Sequence, residues 1–197
     1  MKINNLYALF KKHPLICTDS RKIVKKSLFF ALKGESFNGN NFATKAIGDG
    51  CSFAIIDEKK YCINNKFILV ENVLEALQNL AKYHRNQLSI PVIGITGTNG
   101  KTTSKELIHS VLKSKINCYA TKGNLNNHIG VPLSILEINH NHEIAIIEMG
   151  ANHEKEINFL CDIVKPTHGT ITNIGSAHLE GFKNFQGIID AKNELFN

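Results

Sequence analysis

The fold of this chain turns on the stretch "IPVIGITGTNGKTTSKELIHSVL", Ile90 to Leu112. An apolar run, a loop with two glycines and a periodic segment follow one another without a break. Val92, Ile93 and Ile95 suit a strand buried on both faces, and "TTSKELIHSVLKS" suits a helix with Leu107, Ile108, Val111 and Leu112 turned inward. Between them lies Gly97-Thr98-Asn99-Gly100-Lys101-Thr102-Thr103. Glycines adopt backbone angles closed to other residues, so successive N–H groups can face a phosphate, and the following helix presents its positive end. Lys101 can reach the β- and γ-phosphates of a nucleotide, and Thr102 can offer a hydroxyl to Mg²⁺. The usual Walker loop has a glycine five residues before the second one, where this chain has Ile95. With no NKxD string to read guanine, the pattern favours a variant ATP loop over a GTPase.

Outward from the loop the chain alternates apolar strands and helices: "EIAIIEMG", then "HEKEINFLCDIV", then "HGTITNIG", then "NFQGIIDAKNELF". This predicts a parallel sheet covered on both faces, with ligands beyond the carboxyl ends of its strands. The second strand ends at Glu148, as a Walker-B carboxylate that holds Mg²⁺ does. A solvated strand-end Glu would look the same. The third strand leads to Asn173 and His178 at the same sheet edge, which favours a role for His178 over a merely structural one. In "TKGNLNNHIGVP" the amides of Asn124, Asn126 and Asn127 can both donate and accept, which suits a sugar-like substrate or plain turn chemistry. His140 and His142 in "NHNHE" read as surface rather than metal ligands.

Upstream, short apolar runs ("LICT", "SLFFAL", "SFAIID", "KFILV") predict strands, with a helix near Asn41–Ile47. Then "ENVLEALQNLAKYHRNQL" puts Val73, Leu77, Leu80, Ala81 and His84 on one helical face, with Asn72 and Glu75 in capping-box spacing. The expected fold is therefore α/β: a small mixed α/β domain over residues 1–88, then a P-loop parallel-sheet domain over 89–197. The chain has 197 residues, 43% hydrophobic and 20% charged, enough for such cores. No apolar run nears the ~18 residues of a membrane span. Cys17, Cys51, Cys62, Cys118 and Cys161 lack CxxC spacing and fit a reducing cytoplasm. The net charge of +6 suits nucleic acid, phosphorylated small substrates or a plain basic surface, but no aromatic platform interleaves the dispersed lysines.

Taken together, "GTNGKTT", "TKGNLNNHIGVP", "EMGANH" and "TNIGSAHLEGF" resemble the Mur ligases, and "TDSRKIVKKSLFFALKGESFNGNNF" resembles their uridine-nucleotide domain. The likeness is strongest to the branch that joins D-alanyl-D-alanine to UDP-MurNAc-tripeptide for peptidoglycan synthesis. It implies ATP-driven amide formation through an acyl phosphate, with ATP and Mg²⁺ as cofactors. It assigns Gly97 to Thr103 and Asn173 to the nucleotide, and Thr102 and Glu148 to one Mg²⁺. Lys101 would serve the phosphates, and a second Mg²⁺ would lie near His178 and Lys192. Lys192, a surface helix lysine by residue type alone, would be carbamylated. Ser20, Arg21, Lys33 and Gly34 would line the uridine diphosphate site, and Asn124 and Asn127 would touch the muramoyl sugar. The resemblance also implies a cytoplasmic monomer without nucleic-acid partner or membrane insertion, and an amino-terminal piece lacking a third domain. The sister ligase that adds the third amino acid, a folylpolyglutamate synthetase and a non-catalytic nucleotide-binding module remain the alternatives.

Overall fold

Parallel strand pairing organises both halves of the chain. A computed structural model describes residues 1–175, 179–182 and 184–196. The chain divides into two compact units, Met1–Tyr83 and His84–Asn197.

The first unit opens with α1 (Ile3–Lys12), a helix the sequence reading did not anticipate. It has no side-chain cap at Lys2, so the usual start signal is missing; its burial of Leu6 and Phe10, one turn apart, holds it instead. β1 (Ile16–Cys17), β2 (Leu28–Phe30), β3 (Phe53–Ile56) and β4 (Phe67–Leu69) form a sheet in that order, every pair parallel. Alternation along the strands puts Phe29, Ala54 and Ile56 into one cluster with Cys17, Phe67 and the small Ala43 and Ala46 of α2 (Ala43–Gly48). Asn72 caps α3 (Val73–Arg85), its Oδ1 accepting from the N–H groups of Leu74 (2.9 Å) and Glu75 (3.1 Å). Val73, Leu77, Leu80, Ala81 and His84 are buried, as their spacing predicts.

The second unit contains β5 (Val92–Thr96), α4 (Lys101–Leu112), β6 (Cys118–Ala120), α5 (Gly130–Glu137), β7 (Ile144–Glu148), α6 (Glu156–Val164), β8 (His168–Ile171), α7 (Leu179–Phe182) and α8 (Phe185–Asn193). Its sheet order is β6-β7-β5-β8, all parallel, so the four strands end at one edge. Ile95 aligns with Glu148 on one side and Thr170 on the other. That register brings the end of β7 beside the loop that follows β5.

The inward face of α4 differs from expectation. Ile108 and Leu112 pack on Ile95, Cys118 and Ile146, but Leu107 and Val111 are 65% and 71% exposed. The buried stripe runs through Lys105, Ile108 and Leu112, at helical spacing. A charged residue occupies a core position, so hydrophobicity alone rotates the helix the wrong way. No described helix is long and apolar enough to cross a membrane. All five cysteines are free.

Candidate functional site

The loop after β5 is shaped by its contacts with the end of β8. Gly97 has φ 144°, and a Cβ there would stand 2.1 Å from Thr172 Oγ1 and within 3.2 Å of the Thr172 and Asn173 nitrogens. Glycine is thus required by conformation and by space. Gly100, φ 77°, turns the chain into α4. Asn173 Oδ1 accepts from Asn99 N–H (2.9 Å), and its carbonyl accepts from Thr98 N–H (3.0 Å). Thr172 Oγ1 donates to the Asn99 carbonyl (2.6 Å). Asn173, expected near the nucleotide, shapes the loop itself here, and Thr172 is a partner the sequence reading missed.

Lys101 folds back over the loop, its Nζ donating to the carbonyls of Gly97 (2.7 Å) and Thr98 (3.0 Å). Burial pushes its pKa below the usual lysine value, with the Glu148 carboxylate opposing. Thr102 Oγ1 donates to Glu148 Oε2 at 2.9 Å, and the other carboxylate oxygen accepts from Asn126 Nδ2 at 2.8 Å. Glu148 is buried, only 1% exposed, so the solvated strand-end alternative falls away. Thr102 and Glu148 offer adjacent hard oxygen donors, the chemistry that fits Mg²⁺. No group of three His, Cys, Asp or Glu is poised for a metal among the described residues.

Gly97, Thr98 and Lys101 line a cavity of about 510 Å³. Asn126, Asn127 and His128 form part of its wall, and Phe159, Phe182 and Ile188 give it an apolar side. Lys192 points into this cavity. It is only 3% exposed, which corrects its reading as a surface lysine. Its Nζ stands 5.4 Å from the Phe182 ring centroid, and the carboxylates of Glu156 and Glu194 act on it from further off, opposing the effect of burial. Burial first, then the Lys101 charge, depress its pKa. Glu194, just beyond α8, accepts from the N–H groups of Lys155 (2.6 Å) and Asn158 (2.9 Å), which pins this end of α8 to the start of α6. His178 lies outside the described residues. Asn127 lines the cavity while its Oδ1 accepts from Ile129 (3.1 Å) and Gly130 (2.8 Å) N–H, opening α5. Asn124 is exposed and does not line the cavity; Asn126, which does, was given no specific role by the sequence reading.

In the first unit, Lys33 and Gly34 line an open groove of about 540 Å³ with Phe37, Asn38, Asn41 and Glu58. Lys33 Nζ lies 2.9 Å from Asp57 and 3.2 Å from Glu58. The fully buried Asn40 donates to Asp57 Oδ1 (2.8 Å) and accepts from Asp57 N–H (3.1 Å), fixing the segment that carries the groove. Ser20 and Arg21 do not line it. Arg21 is spread on Asp19 through two 2.9 Å side-chain bonds, which hold the Asp19 carboxyl down at about 2.

Comparison with known proteins agrees with this geometry. Residues 95–197 match the model of the Mur ligase middle domain, and residues 14–85 that of the Mur ligase family catalytic domain. The UDP-N-acetylmuramoyl-tripeptide–D-alanyl-D-alanine ligase of Bacillus subtilis is 42% identical over 184 residues, covering 92% of this chain and 40% of the relative. A crystal structure of MurF from Acinetobacter baumannii matches with TM-score 0.84 at 40% identity, over 92% of this chain and 40% of that one. MurF ligase from Thermotoga maritima, solved in complex with ADP, matches with TM-score 0.83 at 35% identity, over 92% of this chain and 42% of that one. The chain thus spans about 40% of the length of the relatives it matches. The middle-domain match alone takes in more than half of the residues, including the phosphate loop, Glu148 and Lys192, and the chain belongs to the Mur ligase family.

Proposed function

We propose that this chain supplies the nucleotide-binding and first-substrate parts of an ATP-dependent ligase that joins D-alanyl-D-alanine to UDP-MurNAc-tripeptide. The observation that carries the reading is that Lys101 and Lys192 line one cavity, and that Asn126 in its wall holds the Glu148 carboxylate which pairs with Thr102 beside the phosphate loop. Residues 1–88 would hold the uridine nucleotide, and residues 89–197 would hold ATP.

The chemistry asks a carboxylate to approach a triphosphate, two anions that repel. The peptide carboxylate oxygen attacks the γ-phosphorus, and the bond to the bridging oxygen breaks, releasing ADP and leaving an acyl phosphate. The amine of D-alanyl-D-alanine then attacks the acyl carbon, phosphate departs, and the amine gives up a proton. Lys101 would leave the loop carbonyls for phosphate oxygens, a charge-assisted exchange. Thr102 and Glu148 would hold Mg²⁺, which neutralises phosphate charge when bound. Gly97, Gly100 and Thr103 would present N–H groups to the phosphates, while the Thr98 and Asn99 N–H groups stay on Asn173 and, with Thr172 on the Asn99 carbonyl, hold the loop in shape.

Lys192 as a free amine is no ligand for Mg²⁺. Its depressed pKa, however, favours the neutral amine that adds to carbon dioxide. Carbamylation would give it two anionic-type oxygens and, with His178, a place for a second Mg²⁺. In the first unit, Asp57 and Glu58 already neutralise Lys33, so the groove suits the uncharged base or ribose better than a diphosphate. The exposed ring of Phe37 offers an apolar face there.

Calorimetry of the chain with ATP plus Mg²⁺, and separately with UDP-MurNAc-tripeptide, should give saturable heats, with the tripeptide preferred over the dipeptide precursor. Preference for the dipeptide would instead indicate the sister ligase. Hydroxylamine trapping in a single turnover then tests the chemistry. Hydroxamate should form only with ATP and tripeptide together, and binding without hydroxamate would leave the chain a nucleotide-binding module.

A further inference from the structure

The chemistry above leaves Lys105 without a task. It stands one turn after Lys101 on the buried stripe of α4 and is wholly buried. Its Nζ donates to the carbonyl of Thr121 at 2.6 Å and that of Gly123 at 3.4 Å, and lies 3.0 Å from Glu106 Oε1. A desolvated charge is costly, and an apolar side chain of the same length would fill the space with less penalty. What the ammonium adds is direction. It grips two carbonyls of one turn.

That turn leads twice to Glu148. Thr121 Oγ1 accepts from the Glu148 backbone N–H at 3.0 Å. Asn126, three residues beyond Gly123, donates to Glu148 Oε1 at 2.8 Å. Asn126 is itself held by its backbone, its N–H on the Asn124 carbonyl and its carbonyl on Gly150 N–H, both at 2.8 Å. A Cβ at Gly150 would stand 3.1 Å from the Asn126 amide carbon, so that glycine leaves the amide its place. The carboxylate facing Thr102 is therefore fixed through its backbone and through one oxygen, and both links start from the turn under Lys105.

We propose that Lys105 is a positioning residue: its buried ammonium fixes the Thr121–Gly123 turn and, through Thr121 and Asn126, the orientation of the Glu148 carboxylate. The inference rests on the reading of Thr102 and Glu148 as holders of a divalent cation beside the nucleotide.

The test compares the unsubstituted chain with Lys105→Gln. ATP is titrated with and without Mg²⁺, and the ligand-free proteins are compared by ¹⁵N NMR at the Glu148 backbone amide and the Asn126 side-chain amide. The Mg²⁺-dependent gain in ATP affinity should fall about 10–100-fold, as for other partners of metal-holding groups, while metal-free affinity stays within about twofold. Both amide signals should move. A lysine that only supports the fold would lower the melting temperature and leave both readouts of the folded protein unchanged; that result overturns the proposal. Should Lys105→Gln fail to fold, Thr121→Val takes its place, since it keeps the carbonyl under Lys105 and cuts the hydroxyl link to Glu148. Full retention of the Mg²⁺-dependent gain in Thr121→Val would reject the idea. An unsubstituted chain with no Mg²⁺-dependent gain would strike down the cation reading, and the ligand-free amide shifts would still decide the role of Lys105.

Discussion

Lys33 in the first unit and Lys192 in the second carry the same ammonium into opposite surroundings. Lys33 is exposed, between Asp57 and Glu58, and the hydrogen bond to Asp57 raises its pKa. Lys192 is sunk in a cavity beside an aromatic ring and near Lys101, and burial lowers its pKa against the opposing pull of Glu156 and Glu194. A paired surface lysine organises a loop and gains little. A buried lysine whose neighbouring carboxylates, here Glu156 and Glu194, do not offset its desolvation is a cost the fold carries, and such costs concentrate where an anion or a reaction will meet them. On the proposed function, the contrast would put the chemistry in the second unit and the uncharged base or ribose in the first.

The largest expected effect breaks that contrast at its anion-seeking end. Lys101→Met removes a charge-assisted phosphate contact of about 1.5–3 kcal/mol. ATP affinity by calorimetry should fall about 10–150-fold. Unchanged affinity would mean that the lysine stays on the Gly97 and Thr98 carbonyls when nucleotide binds. Gly97→Ala tests the loop that carries it. A left-handed φ and a Cβ 2.1 Å from Thr172 Oγ1 should together cost about 1–3 kcal/mol, read as a lower melting temperature, with nucleotide affinity lost in parallel. Adding Thr172→Ala should restore little, because the backbone angle and two nearby backbone nitrogens remain.

Lys192→Met sharpens the comparison through pH. The folded-state pKa of Lys192 lies below its unfolded value, so between the two the unfolded chain binds more protons. Stability therefore rises as pH climbs from the folded pKa towards the unfolded value near 10.5, and below the folded pKa the full cost of burying the charge is present. Removing the amine should raise stability near neutral pH by about 0.5–2 kcal/mol and flatten the alkaline rise. The measurement is melting temperature against pH for both proteins. A destabilised variant with an unchanged pH profile would mean that Lys192 is satisfied in the fold.

Much of this was legible in the chain. Gly97 to Thr102 could be read because a strand, a glycine loop and a helix follow in order. Glu148 could be read because parallel strands end at one edge. Lys192 was not legible from residue type, since burial depends on how α8 returns to α6, which Glu194 fixes from beyond the helix. Lys105 hid for a related reason: a lysine at a core position looks like solvent-facing polarity, and it misled the face of α4 as well. Asn126, Asn124 and Asn127 are alike in sequence. Only the register between β7 and the preceding loop gives Asn126 the Glu148 carboxylate and leaves Asn124 exposed.

The smallest effect belongs to Lys33, and it bears most directly on the comparison. Its two acidic neighbours have other partners: Asp57 holds Asn40 and Glu58 accepts from Asn38 Nδ2 at 2.6 Å. The loop is thus fixed by amide–carboxylate bonds that survive removal of the ammonium. The Lys33 side chain is 44% exposed, so solvent already screens its ion pairs. Lys33→Ala should therefore change stability by no more than about 0.5 kcal/mol. Its effect on uridine diphosphate binding separates two pictures of the groove. If the groove takes the base and ribose, affinity by NMR titration should fall less than about threefold, equivalent to well under 1 kcal/mol. A loss near that expected for Lys101 would mean that Lys33 leaves Asp57 and Glu58 for a phosphate. The two lysines would then be doing the same work in different surroundings, and burial would no longer distinguish the reacting unit from the holding one.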